Sequence, residues 1–231
     1  MPSFKEIFPN KRAVLPVVHV ETTRQALENT YIAKKAQADG VFLISMTGAS
    51  YKELLEIHKK VRQEFPDFWI GVNCLDLHVA FVFEHLSQGV SGVWTDNSGI
   101  SELMEVQDVA KMVKEEREYS RWKGLYFGGV VFKYQRPVKD VALAARIAKN
   151  YMDVVTTSGS ATGVAAKIEQ IKLMKEAIGD HPLAIASGLT PENVRDYEMA
   201  DAYLVASSLL KPGTEEFDSK RMEDFVANAR G

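Results

Sequence analysis

The chain has 231 residues, 46% hydrophobic and 26% charged, enough for one large domain with a full core across residues 1–231. A formal charge of −3 and a pI near 6.0 offer no basic field for nucleic acid or an anionic membrane. No apolar run has the length of a bilayer span, MPSFKEIFPNK lacks the apolar centre of a signal peptide, and the single cysteine, Cys74, excludes internal disulfides and a cysteine zinc cluster, so a reducing cytoplasm is the expected compartment.

Short runs rich in Val, Ile, Phe and Ala alternate with longer amphipathic segments, the pattern of repeated βα units. The first strand, AVLPVVHV, ends near His19, and ETTRQALENTYIAKKAQ supplies its helix, with Thr22 or Thr23 as cap. GVFLIS precedes YKELLEIHKKVRQEF, where Leu54, Leu55, Ile57 and Val61 form one stripe. The next units are FWIGVN with HVAFVFEHLS, SGVWTD with SELMEVQDVAKMVKEER, and KGLYFGGVVF with VKDVALAARIAKN. DVVTT with VAAKIEQIKLMKEAIG, PLAIAS with PENVRDY, and DAYLVAS with DSKRMEDFVANA complete the series. Phe81 and Phe83 are expected in the core, and the charge run KMVKEEREYSRWK on a solvated helix face. His78, His85 and Tyr51 read as surface or packing residues.

Eight such units of about 25–30 residues, with no linker between them, predict an α/β fold, a single (β/α)8 TIM barrel, rather than a doubly wound open sheet. In that fold the functional residues follow the strands: His19 and Glu21; Ser45 and Thr47; Asn73 and Asp76; Asp96 and Asn97; Lys133 and Tyr134; Thr157, Ser158 and Ser160; Ser187 and Gly188; Ser207 and Ser208.

The stretch DVVTTSGSATG has neither Walker nor dinucleotide-binding glycine spacing. Its Ser158 and Ser160 either face a ligand or cap the sixth helix. SGLTPENV and VASSLLKPG place Ser187, Gly188, Ser207 and Ser208 where backbone N–H groups at helix starts bind phosphate, although the same residues serve in ordinary capped turns.

Asp96 shares a strand face with Trp94 and Gly92, and Asn73 with Gly71 and Trp69. A carboxylate at a strand end inside a partly closed mouth suits proton transfer, with helix capping or the turn at Asn97 as the alternative role. Lys133 has three readings: pairing with phosphate, pairing with Asp96, or forming a Schiff base. His19 is either a structural hydrogen-bonding residue or a site residue oriented by Glu21. His19, Glu21 and Asp96 could in principle hold a divalent metal, but three scattered ligands without a tight spacing motif are weak evidence, and no metal or cofactor is assigned.

Taken in order, VVHVE, IGVNCLD, VWTDNSG, FKYQRP, VVTTSGSATG, ASGLTPENV and LVASSL resemble the BtpA family of phosphoribosylanthranilate-isomerase-like barrels in the ribulose-phosphate-binding superfamily, from about Val14 to the final helix. The resemblance implies a phosphate-binding barrel; one branch of the family is associated with photosystem I biogenesis, another occurs beside carbohydrate-metabolism genes. The chain departs from the family pattern at ETTRQ, where a proline-rich loop is usual, and at Lys133-Tyr134, where a Lys-His pair is usual.

The combined expectation is acid/base chemistry of isomerase or lyase type on a small phosphorylated metabolite, a sugar phosphate or phosphoribosyl compound. Asp96, Lys133, His19, Asn73 and Glu21 are the catalytic candidates, and the serines with Gly188 the substrate-binding ones. The alternative is a non-catalytic metabolite-binding assembly or regulatory factor. Barrels of this class often dimerise, which leaves homo-oligomerisation open.

Overall fold

A computed structural model describes residues 3–10, 12–46 and 48–231. Eight parallel strands close into a barrel in chain order, with β1 pairing both β2 and β8. They are β1 (Ala13–His19), β2 (Gly40–Ile44), β3 (Trp69–Asn73), β4 (Gly92–Thr95), β5 (Leu125–Gly129), β6 (Val154–Ser158), β7 (Leu183–Ala186) and β8 (Ala202–Val205). The helices are α1 (Phe4–Ile7), α2 (Thr23–Lys35), α3 (Tyr51–Glu64), α4 (Val79–Val82), α5 (Asp108–Ser120), α6 (Val141–Ala148), α7 (Ile168–Ile178) and α8 (Ser219–Arg230). The single (β/α)8 barrel expected from the repeat is therefore the observed architecture.

Strand alternation separates two cores. Ala13, Leu15 and Val17 point into the barrel with Phe42, Ile44, Trp94, Phe127 and Leu204. Val14, Val18, Val41 and Leu43 face the helices. The same parity carries His19, Asn73 and Asp96 inward at the strand ends. Gly71 and Gly92 leave the room that the Trp69 indole occupies, so a Cβ at either would collide with its ring.

The amino-terminal α1, closed by a reciprocal Ser3–Glu6 capping box, plugs the opposite end of the barrel. Phe4 meets Phe127 at 6.4 Å between ring centroids and Phe8 meets Trp69 at 5.4 Å. The face at the carboxyl ends of the strands is thus left as the open one.

The long amphipathic segments fold as their periodicity predicts: Thr22 caps α2, and Leu54 and Val61 of α3 are buried. Three segments differ. After β3 the helix is one α turn continued by a 3-10 turn at Phe83–His85. Phe83 is buried there, whereas Phe81, expected in the core, is 51% exposed. Residues two apart lie about 200° apart around a helix, so a single turn buries only one of the pair. After β4, residues 101–107 remain a loop and α5 begins at Asp108. After β7 the expected helix PENVRDY is only a 3-10 turn, Val194–Tyr197, because the Asn193 side chain bonds Thr190 N–H at 2.8 Å and the Gly188 carbonyl at 2.9 Å, closing a tight turn instead.

The charge run on α5 is largely solvated, except that Arg117 is buried against Asp153, 2.6 Å away. His85 and Tyr51 stack with ring centroids 5.0 Å apart, and His78 accepts the Ala80 N–H. Among the described residues no helix is long and apolar enough to cross a membrane.

Candidate functional site

The carboxyl ends of the strands surround a cavity of about 480 Å³. Its floor is apolar, formed by Val17, Ile44, Trp94 and Leu204, and its rim includes the exposed Met46 and Leu75. The polar groups sit at the end of β1, in the segments after β4, β5 and β6, and at the ends of β7 and β8.

His19 ends β1 with its ring buried and lining the cavity. Its Nδ1 lies 2.7 Å from Glu215 Oε2. Glu21, expected to orient it, is exposed and lines a separate groove with Ser207 and Lys211. The partner therefore comes from the loop after β8, 196 residues away in sequence.

Asp96, just past β4, opens on the cavity. Asn73 is buried behind it and donates from Nδ2 to Oδ1 at 3.1 Å. Burial raises the Asp96 carboxyl above its ordinary range, while the Lys133 ammonium and the Asn73 amide act in the opposite direction. The capping alternative does not describe this side chain: the turn is closed by Asn97 Oδ1 accepting Gly99 N–H at 2.9 Å, and α5 starts only at Asp108, with Gln107 at its cap position. The Gln135 side chain holds the Asp96 carbonyl.

Lys133 follows β5 and aims its Nζ at Thr162 Oγ1 and Ser187 Oγ, each 3.3 Å away. The backbone bearing it takes left-handed angles at Val131 (φ 53°) and Tyr134 (φ 60°), which side-chain-bearing residues seldom adopt. Strand β6 pins it there. Thr157 Oγ1 donates to the Val131 carbonyl at 2.9 Å, and Ser158 Oγ accepts the Lys133 N–H at 2.8 Å. Ser158 is thereby buried beneath Lys133 and does not line the cavity, and Ser160 is exposed outside it. Thr162 and Gly163 are the residues of that loop which reach the mouth.

Ser187, Gly188, Ser207 and Ser208 come together at one end of the cavity. Ser187 and Gly188 are both left-handed, at φ 71° and 70°. The backbone of Ala165 packs so closely on Gly188 that a Cβ there would overlap it. Ser208 Oγ donates to the Leu189 carbonyl at 2.7 Å, tying the two loops together. The turn at Ser207–Leu209 is 3-10, so both expected helix starts are single 3-10 turns and contribute little dipole. The local donors are the N–H groups of Gly188, Ser207 and Ser208, which make no backbone hydrogen bond among the described residues.

The remaining strand-end residues have structural partners. Ser45 Oγ accepts Leu75 N–H, and Asp76 accepts Tyr51 N–H. Thr47 lies outside the described residues. Cys74 is buried, its thiol pushed up to about 12 by burial. Among the described residues no group of three or more His, Cys, Asp or Glu side chains is arranged to hold a metal ion.

Sequence reasoning missed Glu215, Thr162 and Gln135. Only the Pro-Gly of LKPGTEEF hints at a turn that could present Glu215, and nothing local joins it to His19.

Fold and site together define a closed parallel barrel with polar groups gathered at the carboxyl ends of its strands. The chain belongs to the BtpA family, whose model matches residues 89–231. Over 81 residues it is 37% identical to an uncharacterized mitochondrial protein of Caenorhabditis elegans, a match covering 33% of this chain and only 28% of that protein.

Among solved structures it is similar to a native KDPGal structure, with a TM-score of 0.69 and 16% identity over 94% of each chain. It is also similar to phosphoribosyl anthranilate isomerase from Thermus thermophilus (0.65; 15%; 94% of this chain and 97% of that one). A third is (S)-3-O-geranylgeranylglyceryl phosphate synthase from Thermoplasma acidophilum in complex with sn-glycerol-1-phosphate (0.68; 12%; 100% and 99%). At these identities the likeness is one of fold.

Proposed function

We propose that the chain is an enzyme acting on a small phosphorylated metabolite, a sugar phosphate or phosphoribosyl compound, by acid/base chemistry of isomerase or lyase type. The observation that carries this reading is the gathering, at the β7–β8 end of the cavity, of the Lys133 ammonium, the Ser187 hydroxyl and the residues Gly188, Ser207 and Ser208, whose N–H groups have no backbone acceptor among the described residues. A cation and several backbone donors around one concave corner suit a phosphate group. The phosphorylated compounds in the names of two similar barrels agree with it.

With the phosphate held there, the rest of the substrate extends across the mouth between His19 on β1 and Asp96 on β4. Asp96, whose burial favours the protonated form, gives or takes the proton. His19, on the strand opposite β5 since three strands lie between β1 and β5 on either side, is the second group able to exchange a proton with the substrate, and Lys133 offsets the negative charge that develops.

Calorimetric titration with inorganic phosphate, followed by a turnover screen of phosphorylated metabolites, tests the reading. The expected result is phosphate binding lost in Lys133→Met, and turnover lost in Asp96→Asn with binding retained. Binding without any turnover would favour the non-catalytic assembly or regulatory role. An absence of phosphate binding would overturn the site itself.

A further inference from the structure

We propose that Glu215 is the positioning residue of His19, delivered by a hairpin strap that follows β8 and locks the imidazole with its Nε2 lone pair facing the cavity. The inference deepens the proposed function, because it rests on His19 facing the substrate.

The strap begins and ends at an isolated antiparallel bridge between Leu210 and Phe217. Its tip turns at Lys211-Pro212-Gly213-Thr214, where Thr214 N–H donates to the Lys211 carbonyl at 3.2 Å and Gly213 takes φ 72°. Proline then glycine at the two central positions is the composition such a turn requires. Lys211 Nζ meets Glu216 Oε2 at 2.9 Å on the outer side, which leaves Glu215 as the acid turned inward.

Two side chains of α2 hold the strap at that height. Gln25 Nε2 donates both to the Glu215 carbonyl, at 2.7 Å, and to the His19 carbonyl, at 3.0 Å, so one amide fixes both partners. Asn29 donates to the Glu215 carbonyl at 2.8 Å and accepts Phe217 N–H at 2.9 Å. Gln25 and Asn29 are themselves buried. Two buried polar side chains spent on one strap residue are not needed to close a surface hairpin, but they do fix where its carboxylate stands.

A neutral imidazole carries its proton on one nitrogen only, and the group that accepts that proton decides which. Glu215, accepting from Nδ1, leaves Nε2 as the basic nitrogen, and Nε2 has no protein partner among the described residues. A substrate C–H or O–H at the cavity then transfers its proton to Nε2. Glu215 offsets the positive charge so formed, and the same proton returns to the product from Nε2.

The test reads the ring directly and needs no ligand. Nitrogen-15 NMR of the imidazoles is recorded over a range of pH and read where each ring shows two unequal nitrogens, the signature of a single tautomer, and His19 is assigned by its disappearance in His19→Gln. The wild-type protein should show His19 protonated at Nδ1. In Glu215→Ala that preference should fall about tenfold, the scale of one hydrogen bond to a charged group. Glu216→Gln, on the same strap, should leave it unchanged. If Glu215→Ala does not fold, Glu215→Gln serves: the strongly deshielded Nδ1 proton should move upfield as the carboxylate charge is lost.

A wild-type ring protonated at Nε2, or a His19 spectrum indifferent to Glu215, would overturn the proposal. Failure of phosphate to bind at Gly188 and Ser207 would overturn the function and leave this result standing.

Discussion

Burial in the barrel mouth holds the Asp96 carboxyl above its ordinary range, and the nearby Lys133 and Asn73 only partly counter it. A carboxyl whose folded value is raised stabilises the protein fully below its unfolded value, and that stabilisation is lost as pH rises through the folded one. At pH 8, then, the charge is carried at a cost in stability. Asp96→Asn should raise the melting temperature at pH 8 by about 2–4 °C, the equivalent of about 1 kcal/mol, with the gain vanishing near pH 4. Thermal unfolding at the two pH values checks it, and a lower melting temperature for the variant at pH 8 would refute it. Ser187 poses a similar trade: a side chain at φ 71° costs about 1–2 kcal/mol relative to glycine, yet its hydroxyl meets Lys133. Ser187→Gly should therefore melt about 2–4 °C higher while binding phosphate more weakly, as read by calorimetry. The inward aim of His19, Asn73 and Asp96 was legible in sequence because strand parity is a local property. The contact from His19 to Glu215 was not, because only barrel closure brings β1 beside the segment after β8.

At the scale of elements, the amphipathic helices of two or more turns were legible, α5 with its start misplaced, and the one-turn segments were not. α2, α3, α7 and α8 each run at least three turns, enough for a 3.6-residue stripe to declare itself, whereas the segments after β3 and β7 have about one turn in which local side-chain bonds decide. The serine-rich segment after β6 was misread for a related reason, since a hydroxyl serves a ligand or a neighbouring backbone equally well. Ser158 serves the backbone, accepting the Lys133 N–H beneath a loop strained at Val131 and Tyr134. Removing that acceptor leaves a half-buried donor unpaired, at a cost of about 1 kcal/mol, and frees the loop that aims Lys133. Ser158→Ala should lower the melting temperature and weaken phosphate binding together. Ser160→Ala, at an exposed position, should change stability by less than about 0.5 kcal/mol. Equal behaviour of the two variants in both measurements would contradict this division of labour.

For the molecule as a whole, eight repeats of one strand–helix unit specify closure redundantly, and this is why the barrel could be read from sequence even where single helices could not. What the repeat conceals is the layer between strands and helices, where a polar residue is accepted among apolar ones. His58 is such a residue: it lies on the buried face of α3 between Leu54 and Val61, and burial, assisted by Arg62, pushes its imidazole down to about 4. A histidine with a lowered folded value stabilises the protein above its unfolded value, near 6.5, and the stabilisation is lost as pH falls through the folded one. Between pH 6.5 and 4 the unfolded chain binds a proton that the native ring refuses. At 1.36 kcal/mol per pH unit, that window removes about 3 kcal/mol, a large share of a typical domain's stability. His181, lowered by burial as well, adds to the slope in the same direction. Acid unfolding should thus begin well above the range in which exposed carboxylates titrate. His58→Met keeps the volume and removes the proton site, so its denaturant-derived stability should fall less steeply than that of the wild-type protein between pH 6.5 and 4. Parallel curves for the two proteins would place the acid sensitivity elsewhere in the barrel.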